Sequence, residues 1–278
     1  FSLIKPANQP MKKKNKPVYS REHLAYLRKI RNNKIIVHAS RAAILLIILG
    51  AWELCAFLQI IDPYITSSPS RMAVTVFNLA ADGSLFYNVG VTIMETLVGF
   101  VISVALGYGI AIILWANETV SKVLEPYIVV LNALPKIALG PMIIIWFGTG
   151  YPAIIFMTVI VAVIVCIMNT LAGFMAADKT KLLLMKSMGA NKATTLVKLL
   201  IPSSLPALIN TLKVAVGLAW IGSVMGEYIS SRAGIGNLIN YGKQVLNFDL
   251  VMAMILVLCV ITGGMYGIIA LIEKKVTK

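Results

Sequence analysis

Five ionisable side chains stand inside stretches apolar enough to cross a lipid bilayer: Glu53, Glu95, Lys136, Lys213 and Glu227. Each costs roughly 2.5–3.5 kcal/mol on insertion scales, so each must face protein or water. Such residues are the first candidates for handling an ion, a proton or a charged solute. Covalent chemistry has little to draw on. His23 and His38 both lie in a basic N-terminal arm. Cys55, Cys166 and Cys259 sit singly in apolar runs, without metal-ligand or redox spacing, as small core hydrophobes do. No span carries a histidine or a pair of carboxylates, which argues against a membrane-embedded enzyme.

Lys136 is the most informative of the five, because Pro135 before it and Gly140-Pro141 after it interrupt its span. Either it lines a translocation path and attracts an anion, or it forms an ion pair with Glu95 or Glu227 that steadies a kinked helix. Glu227, near one end of its span, has a gating role and a packing role open to it. Lys213 can snorkel to the interface. Asn132 and Ser223, with Asn169, Asn210 and Thr211, are candidates for polar lining, although asparagine also serves to hold helices together.

The elements that must position these residues follow from composition. Of 278 residues, 59% are hydrophobic and 13% charged, against about 45–50% and about 25% in soluble domains. Mean hydropathy is +0.86. The fold class is therefore all-α integral membrane, with six spans at 42–60, 89–115, 126–147, 153–176, 205–229 and 250–272. Prolines 135 and 141 break or kink the third span. Along the second span, Gly99, Ser103, Gly107 and Ala111 recur every four residues, a stripe that admits another helix at close range. Gly222–Gly226 and Gly263–Gly267 are small-residue pairs with the same property. Asp62–Tyr87 is polar and contains a surface helix from Ser68-Pro69 to Asp82-Gly83; Asn117–Glu125 reads as a short turn and Ser230–Phe248 as a loop.

Residues 1–41 form a basic N-terminal arm, and 42–278 the membrane domain. Residues 1–10 precede Met11, a candidate natural start, and are set aside as an appended segment. Ser20 is positioned to cap an interfacial helix carrying Leu24, Leu27 and Ile30. The formal charge of +14 would suggest nucleic acid in a soluble protein; here the basic residues flank apolar runs, which fixes orientation instead. With both ends cytoplasmic, twenty of the 25 Lys and Arg fall inside and Arg71, Arg232 and Lys243 fall outside. The localisation expected is a cytoplasmic membrane.

Between the fourth and fifth spans lies a polar stretch, 178–206, with five lysines. Thr180–Met188 and Lys192–Leu200 read as short amphipathic helices hinged at Gly189-Ala190, and Pro202 and Pro206 stop the second helix and start the next span. Leu182, Leu183, Leu184, Met185, Met188 and Leu196 supply an apolar patch that needs a partner.

Within this stretch, MKSMGANKATTLVKLLIPSSLP resembles the cytoplasmic loop of binding-protein-dependent ABC importer permeases, whose pattern is Glu-Ala-Ala, three residues, Gly, nine residues, Ile, any residue, Leu-Pro. Gly189 and Pro202 fall on the family's Gly and Pro; Leu183-Leu184-Met185 replaces the Glu-Ala-Ala triplet, and Leu199 and Ile201 stand for its Ile and Leu. ALPKIALGPMIIIWFGTG (133–150), GLAWIGSVMGEYISSRAGIGNLI (217–239), Trp52-Glu53 and TIMETLVGF (92–100) resemble the nitrate, sulfonate and taurine branch. The resemblance implies a type I importer permease fold and an ATPase-coupling role for Leu183, Leu184, Met185, Met188, Gly189, Ala190 and Pro202. It also implies a second copy of this permease, two ATP-binding subunits and an extracytoplasmic solute-binding protein. ATP and magnesium would then belong to the partner subunits, with no cofactor in this chain. The absence of a G-x-x-x-x-G-K-[ST] loop agrees with that division. Transport would be inward by alternating access, of a small anion such as nitrate, a sulfonate or taurine, or of a small organic. The alternative is a self-sufficient secondary transporter or channel, for which inverted repeats would be expected; none is evident.

Overall fold

The computed structural model describes residues 21–276. The expectations for residues 1–10 and for a Ser20 cap lie outside them. The chain divides into two units, 1–54 and 55–278. In the first, helix α1 (Arg21–Phe57) runs without a break from the basic arm into the first apolar stretch, where Ile44–Ile48 are exposed.

The second unit opens with a one-turn helix α2 (Pro63–Thr66) capped by Asp62, and α3 (Pro69–Ala81) capped by Ser68. Then come α4 (Ser84–Ala116), α5 (Glu118–Ala133), a 3₁₀ turn at Lys136–Leu139, α6 (Gly140–Phe147) and α7 (Tyr151–Met175). After α7 are α8 (Lys179–Ser187), α9 (Lys192–Thr195), a π-helical turn at Leu196–Leu200, α10 (Ile201–Ser230), α11 (Ile235–Gln244) and α12 (Phe248–Val276). Among the described residues five helices are long and apolar enough to cross a membrane, or six if α5 and the bent segment Lys136–Phe147 form one span.

That bend, 83°, has a local cause. Leu134 is extended (φ −62°, ψ 135°) because the ring of Pro135 disfavours helical geometry in the residue before it. Pro135 has no N–H to continue the ladder, and Gly140-Pro141 restarts the helix with proline in its first turn, where the missing donor costs least.

The core is built on α7, which packs against α4 and α10 along its length. Ile154, Met157, Val161 and Ala162 of α7, and Ala215, Val216, Ala219 and Trp220 of α10, are buried. The small-residue stripe of α4 is what lets α7 approach: a Cβ on Gly99 would run into Thr158, and one on Gly107 into Cys166. Arg71 ties α3 to α12 through two N–H donors to Asp249 (3.0 and 2.7 Å) and lies over the Tyr64 ring.

Three expectations are corrected. Asn117–Glu125 is not a turn; Asn117 caps α5 directly, its Oδ1 accepting from Thr119 and Val120. The loop 230–248 contains α11, whose Ile235 and Gly236 are buried. Pro202 and Pro206 do not stop a helix, because α9, the π turn and α10 form one continuous run, Lys192–Ser230. The π turn absorbs the irregularity: the Ile201 N–H reaches back to Leu196 O, and the hydroxyls of Ser203 and Ser204 donate to the Leu200 carbonyl.

Candidate functional site

The loop between α7 and α10 is organised by local chemistry. Asp178 caps α8 by accepting the Thr180 N–H at 2.8 Å, and that backbone bond holds its carboxyl below the usual carboxylate range. At the other end Gly189 adopts φ +75°, its N–H donating to Lys186 O and that of Ala190 to Met185 O. These two bonds satisfy carbonyls the helix would otherwise leave open, in a geometry that a side chain at 189 would strain. Asn191 then caps α9 through the Thr194 N–H (2.7 Å).

Packing splits the apolar residues of the loop into two sets. Leu182, Leu196 and Leu200 join Ala111, Trp115 and Phe174 in a cluster at the ends of α4 and α7. Leu183, Leu184 and Met188 are exposed, Met188 at 75%, as is Val197. Met185 and Ala190 are half-buried, and Pro202 is exposed. Lys192 reaches out of the loop, its Nζ donating to the Ala116 carbonyl at 2.6 Å.

At the opposite end of the same helices is a buried polar seam. Asn88, Thr92, Glu95 and Thr96 of α4 face Ser223 and Glu227 of α10 and the turn that follows, and all are under 9% exposed. Asn88 accepts the Gly234 N–H (2.7 Å), Thr92 the Ile235 N–H (2.8 Å) and Glu227 the Gly236 N–H (2.7 Å). Thr96 and Ser223 share a hydrogen bond of 2.6 Å. Gly234, at φ +103°, is required twice over, since a Cβ there would meet the Glu227 carboxyl.

Glu95 and Glu227 lie within hydrogen-bonding reach of one another. Among the described residues no lysine or arginine forms an ion pair with either. Two facing carboxyls attract only with a hydrogen between them. Glu95→Gln supplies an N–H for that position and should leave the apparent melting temperature of the purified protein near wild type. Glu95→Leu removes the partner of a buried carboxyl, costing about 1–3 kcal/mol; a clear drop in melting temperature for Leu but not Gln checks the pair. Glu95 also lines a cavity of about 490 Å³, with Tyr87, Thr149, Tyr151, Ser231 and Arg232.

The candidate residues thus fall apart into groups. Glu95, Glu227 and Ser223 come together, and the two carboxylates meet across spans, where inspection of single spans shows no such pair. Lys136 does not join them: its Nζ donates to the Asn132 carbonyl at 3.1 Å, and Asn132 is exposed. Lys213 pairs with Glu273 (2.6 Å) and lies near the Tyr266 ring. Asn88, Thr92 and Thr96 escaped the sequence reading. Their signal was present, as a polar continuation of the Gly99–Ala111 stripe at helical spacing.

Comparison with known proteins gives concordant results. Residues 103–278 match the family described as "Binding-protein-dependent transport system inner membrane component". The formylaminopyrimidine transport permease ThiX of Halalkalibacterium halodurans is 29% identical over 191 residues, covering 69% of this chain and 76% of its own. The taurine transport system permease TauC of Escherichia coli is 25% identical over 222 residues, 78% and 81% of the two chains. Among solved structures, a chain of the methionine ABC transporter MetNI in inward-facing form superposes with a TM-score of 0.60 at 17% identity, covering 70% of this chain and 95% of that one. The fold is that of type I importer permeases.

Proposed function

The chain belongs to the binding-protein-dependent transport system inner membrane components, as the membrane permease subunit of an ABC importer, and from that premise we propose how it is oriented, powered and supplied. Both ends and the α8–α9 loop face the cytoplasm, and the turn between α10 and α11 faces outward. The excess of lysine and arginine on the loop side supports this orientation. Two ATP-binding subunits dock on the α8–α9 loops of two copies of this chain, and a solute-binding protein delivers cargo to the outer face. ATP and magnesium are bound by the docked subunits, and this chain carries neither an ATPase site nor a cofactor.

The observation that carries the reading is the face of α8 formed by Leu183, Leu184 and Met188, exposed beside Lys181 and Lys186 on a rigidly capped helix. A helix presenting such a face at the end of the membrane bundle suits insertion into a groove on a soluble partner. Gly189, Ala190 and Pro202 shape the loop behind it.

The cargo is a small solute of the kind that the named relatives carry, a sulfonate such as taurine or a small organic such as a pyrimidine. Lys136, on the bent third span, is available to an anionic group, and Asn132 stands beside it. Movement is by alternating access. ATP closes the docked subunits, the loops pass that motion to α4, α7 and α10, the pathway opens outward to take solute, and hydrolysis resets it.

The test is reconstitution into proteoliposomes with the cognate ATPase and binding protein, using radiolabelled taurine and a formylaminopyrimidine as probes. Uptake should require ATP, the ATPase and the binding protein together. Uptake by this chain alone, driven by an ion gradient, would overturn the reading.

A further inference from the structure

The helix α10 is joined to the α8–α9 loop by the chain itself, through the π turn, so any displacement of the loop reaches α10 directly. No such covalent link exists for α4, whose closing residue Ala116 lies far in sequence from Lys192. We propose that Lys192 is the positioning residue that yokes α4 to the loop, so that α4 carries the loop's displacement to the turn between α10 and α11. The inference rests on the importer reading given above, and adds the route by which the ATPase signal crosses the membrane.

Three observations support it. First, the last carbonyls of a helix lack partners within the helix and carry the negative end of its dipole, so the Lys192 ammonium, donating to Ala116 O at 2.6 Å on the exposed surface, holds α4 at one of these open acceptors. Asn191, by capping α9, places Lys192 as its first residue. The apolar cluster of Ala111, Phe174 and Leu200 holds the same region together, but apolar contacts are non-directional and permit sliding.

Second, α4 is suited to act as a rod. It has 33 residues with no internal proline, hence a length of about 50 Å. Its glycines seat it against α7 at two levels.

Third, the far end of α4 is bonded to the turn that would have to move. Asn88 and Thr92, one helical turn apart, accept the successive N–H groups of Gly234 and Ile235. That turn contributes Ser231, Arg232 and Ala233 to one wall of a cavity whose other wall is Thr149–Tyr151. An axial shift of α4 would therefore change the width of this cavity.

The experiment uses the full complex in nanodiscs, with the three native cysteines replaced and spin labels attached at Arg232→Cys and Tyr151→Cys, on either side of the cavity. The label-to-label distance is measured with and without ATP. In the otherwise wild-type complex ATP should shift the distance distribution. Lys192→Met should shrink that shift to the share carried by α10 alone, with the ATPase still bound, and Lys192→Arg, which keeps a charged donor, should retain it in full. Thr92→Val, cutting one of the two bonds at the other end, should shrink it as well. A full shift in Lys192→Met, or no shift in the otherwise wild-type complex with its ATPase turning over, overturns the proposal. Failure of any ATPase to bind the wild-type chain would instead overturn the importer reading.

Discussion

Aspartate in place of Met188 is expected to strip the ATPase from the purified permease and to abolish ATP-driven uptake. Met188 is 75% exposed and continues the face begun by Leu183 and Leu184 on α8. A carboxylate there would have to be buried against an apolar groove without a counter-ion, and truncation or reversal of a central apolar anchor costs 2 kcal/mol or more, roughly a thirtyfold loss of affinity. The folded permease should be indifferent, because Met188 contributes little buried surface; its apparent melting temperature should match wild type. Ser187→Ala, one residue away and also exposed, should leave the ATPase bound. Leu182→Asp should behave differently again, lowering the melting temperature, because Leu182 packs on the cluster of Ala111, Phe174 and Leu200. Pull-down of the ATPase on the immobilised permease reads the first effect and a thermal melt in detergent the second. A Met188→Asp protein that retains its ATPase would remove α8 as the docking face.

The second large effect is expected at Gly222, on the face of α10 that meets α7. A Cβ there would lie 2.6 Å from the Thr158 Cα and 3.2 Å from the Met157 carbonyl oxygen. Both are backbone atoms of a helix itself wedged between α4 and α10, so neither can turn aside as a side-chain tip would. Gly222→Val must force the two helices apart. Overpacking of this kind costs about 1–3 kcal/mol, which in a protein of this size lowers the melting temperature by roughly 2–12 °C. Gly217 lies on the same helix with nothing within 4 Å of its would-be Cβ. Gly217→Ala should be neutral or stabilise by about 0.5–1 kcal/mol, through the lower backbone entropy of alanine. Melting temperatures and detergent-extracted yields of the two variants side by side test the contact. Equal behaviour would mean that α10 and α7 are not in van der Waals contact at Gly222.

The two expectations differ in how visible they were beforehand. The hinge at Gly189 could be read from the sequence because capping is a matter of three or four neighbouring residues, whereas which apolar residues of α8 stay exposed could not. The Asp178 and Asn191 caps and the paired bonds at Lys186 and Met185 all close within one turn. The spacing of Gly222 and Gly226 announced a close contact but left the partner open, and the structure supplies α7 as that partner. The paired spacing of Gly263 and Gly267 announced one too, yet among the described residues nothing lies within 4 Å of a Cβ at either.

Lys136 shows the same limit from the other side. Its position between two prolines marked a break, and the break is there, at 83°. Which group its ammonium meets depended on where the bend leaves it relative to the other spans, and it bonds back across the break to the Asn132 carbonyl in α5 rather than to Glu95 or Glu227. The prolines at 202 and 206 misled for a related reason. Proline removes a donor locally, but the π turn, in which the Ile201 N–H reaches back to Leu196 O, carries the helix into Pro202, a compensation made by the residues before the proline rather than by the proline itself.

By itself the sequence determined the class of this protein, the rough extent of its apolar spans, the break at Pro135 and the hinge of the basic loop at Gly189. Hydropathy, charge placement and capping act over a turn or a span and need no knowledge of neighbours. Only the tertiary structure decided that two glutamates from different spans face each other, that Thr92 and Asn88 hold the turn after α10, and that Lys192 grips the end of α4. Those contacts depend on the rotation of each helix about its axis, and that rotation is set by the packing of whole faces, to which every residue contributes a little and none a readable signal.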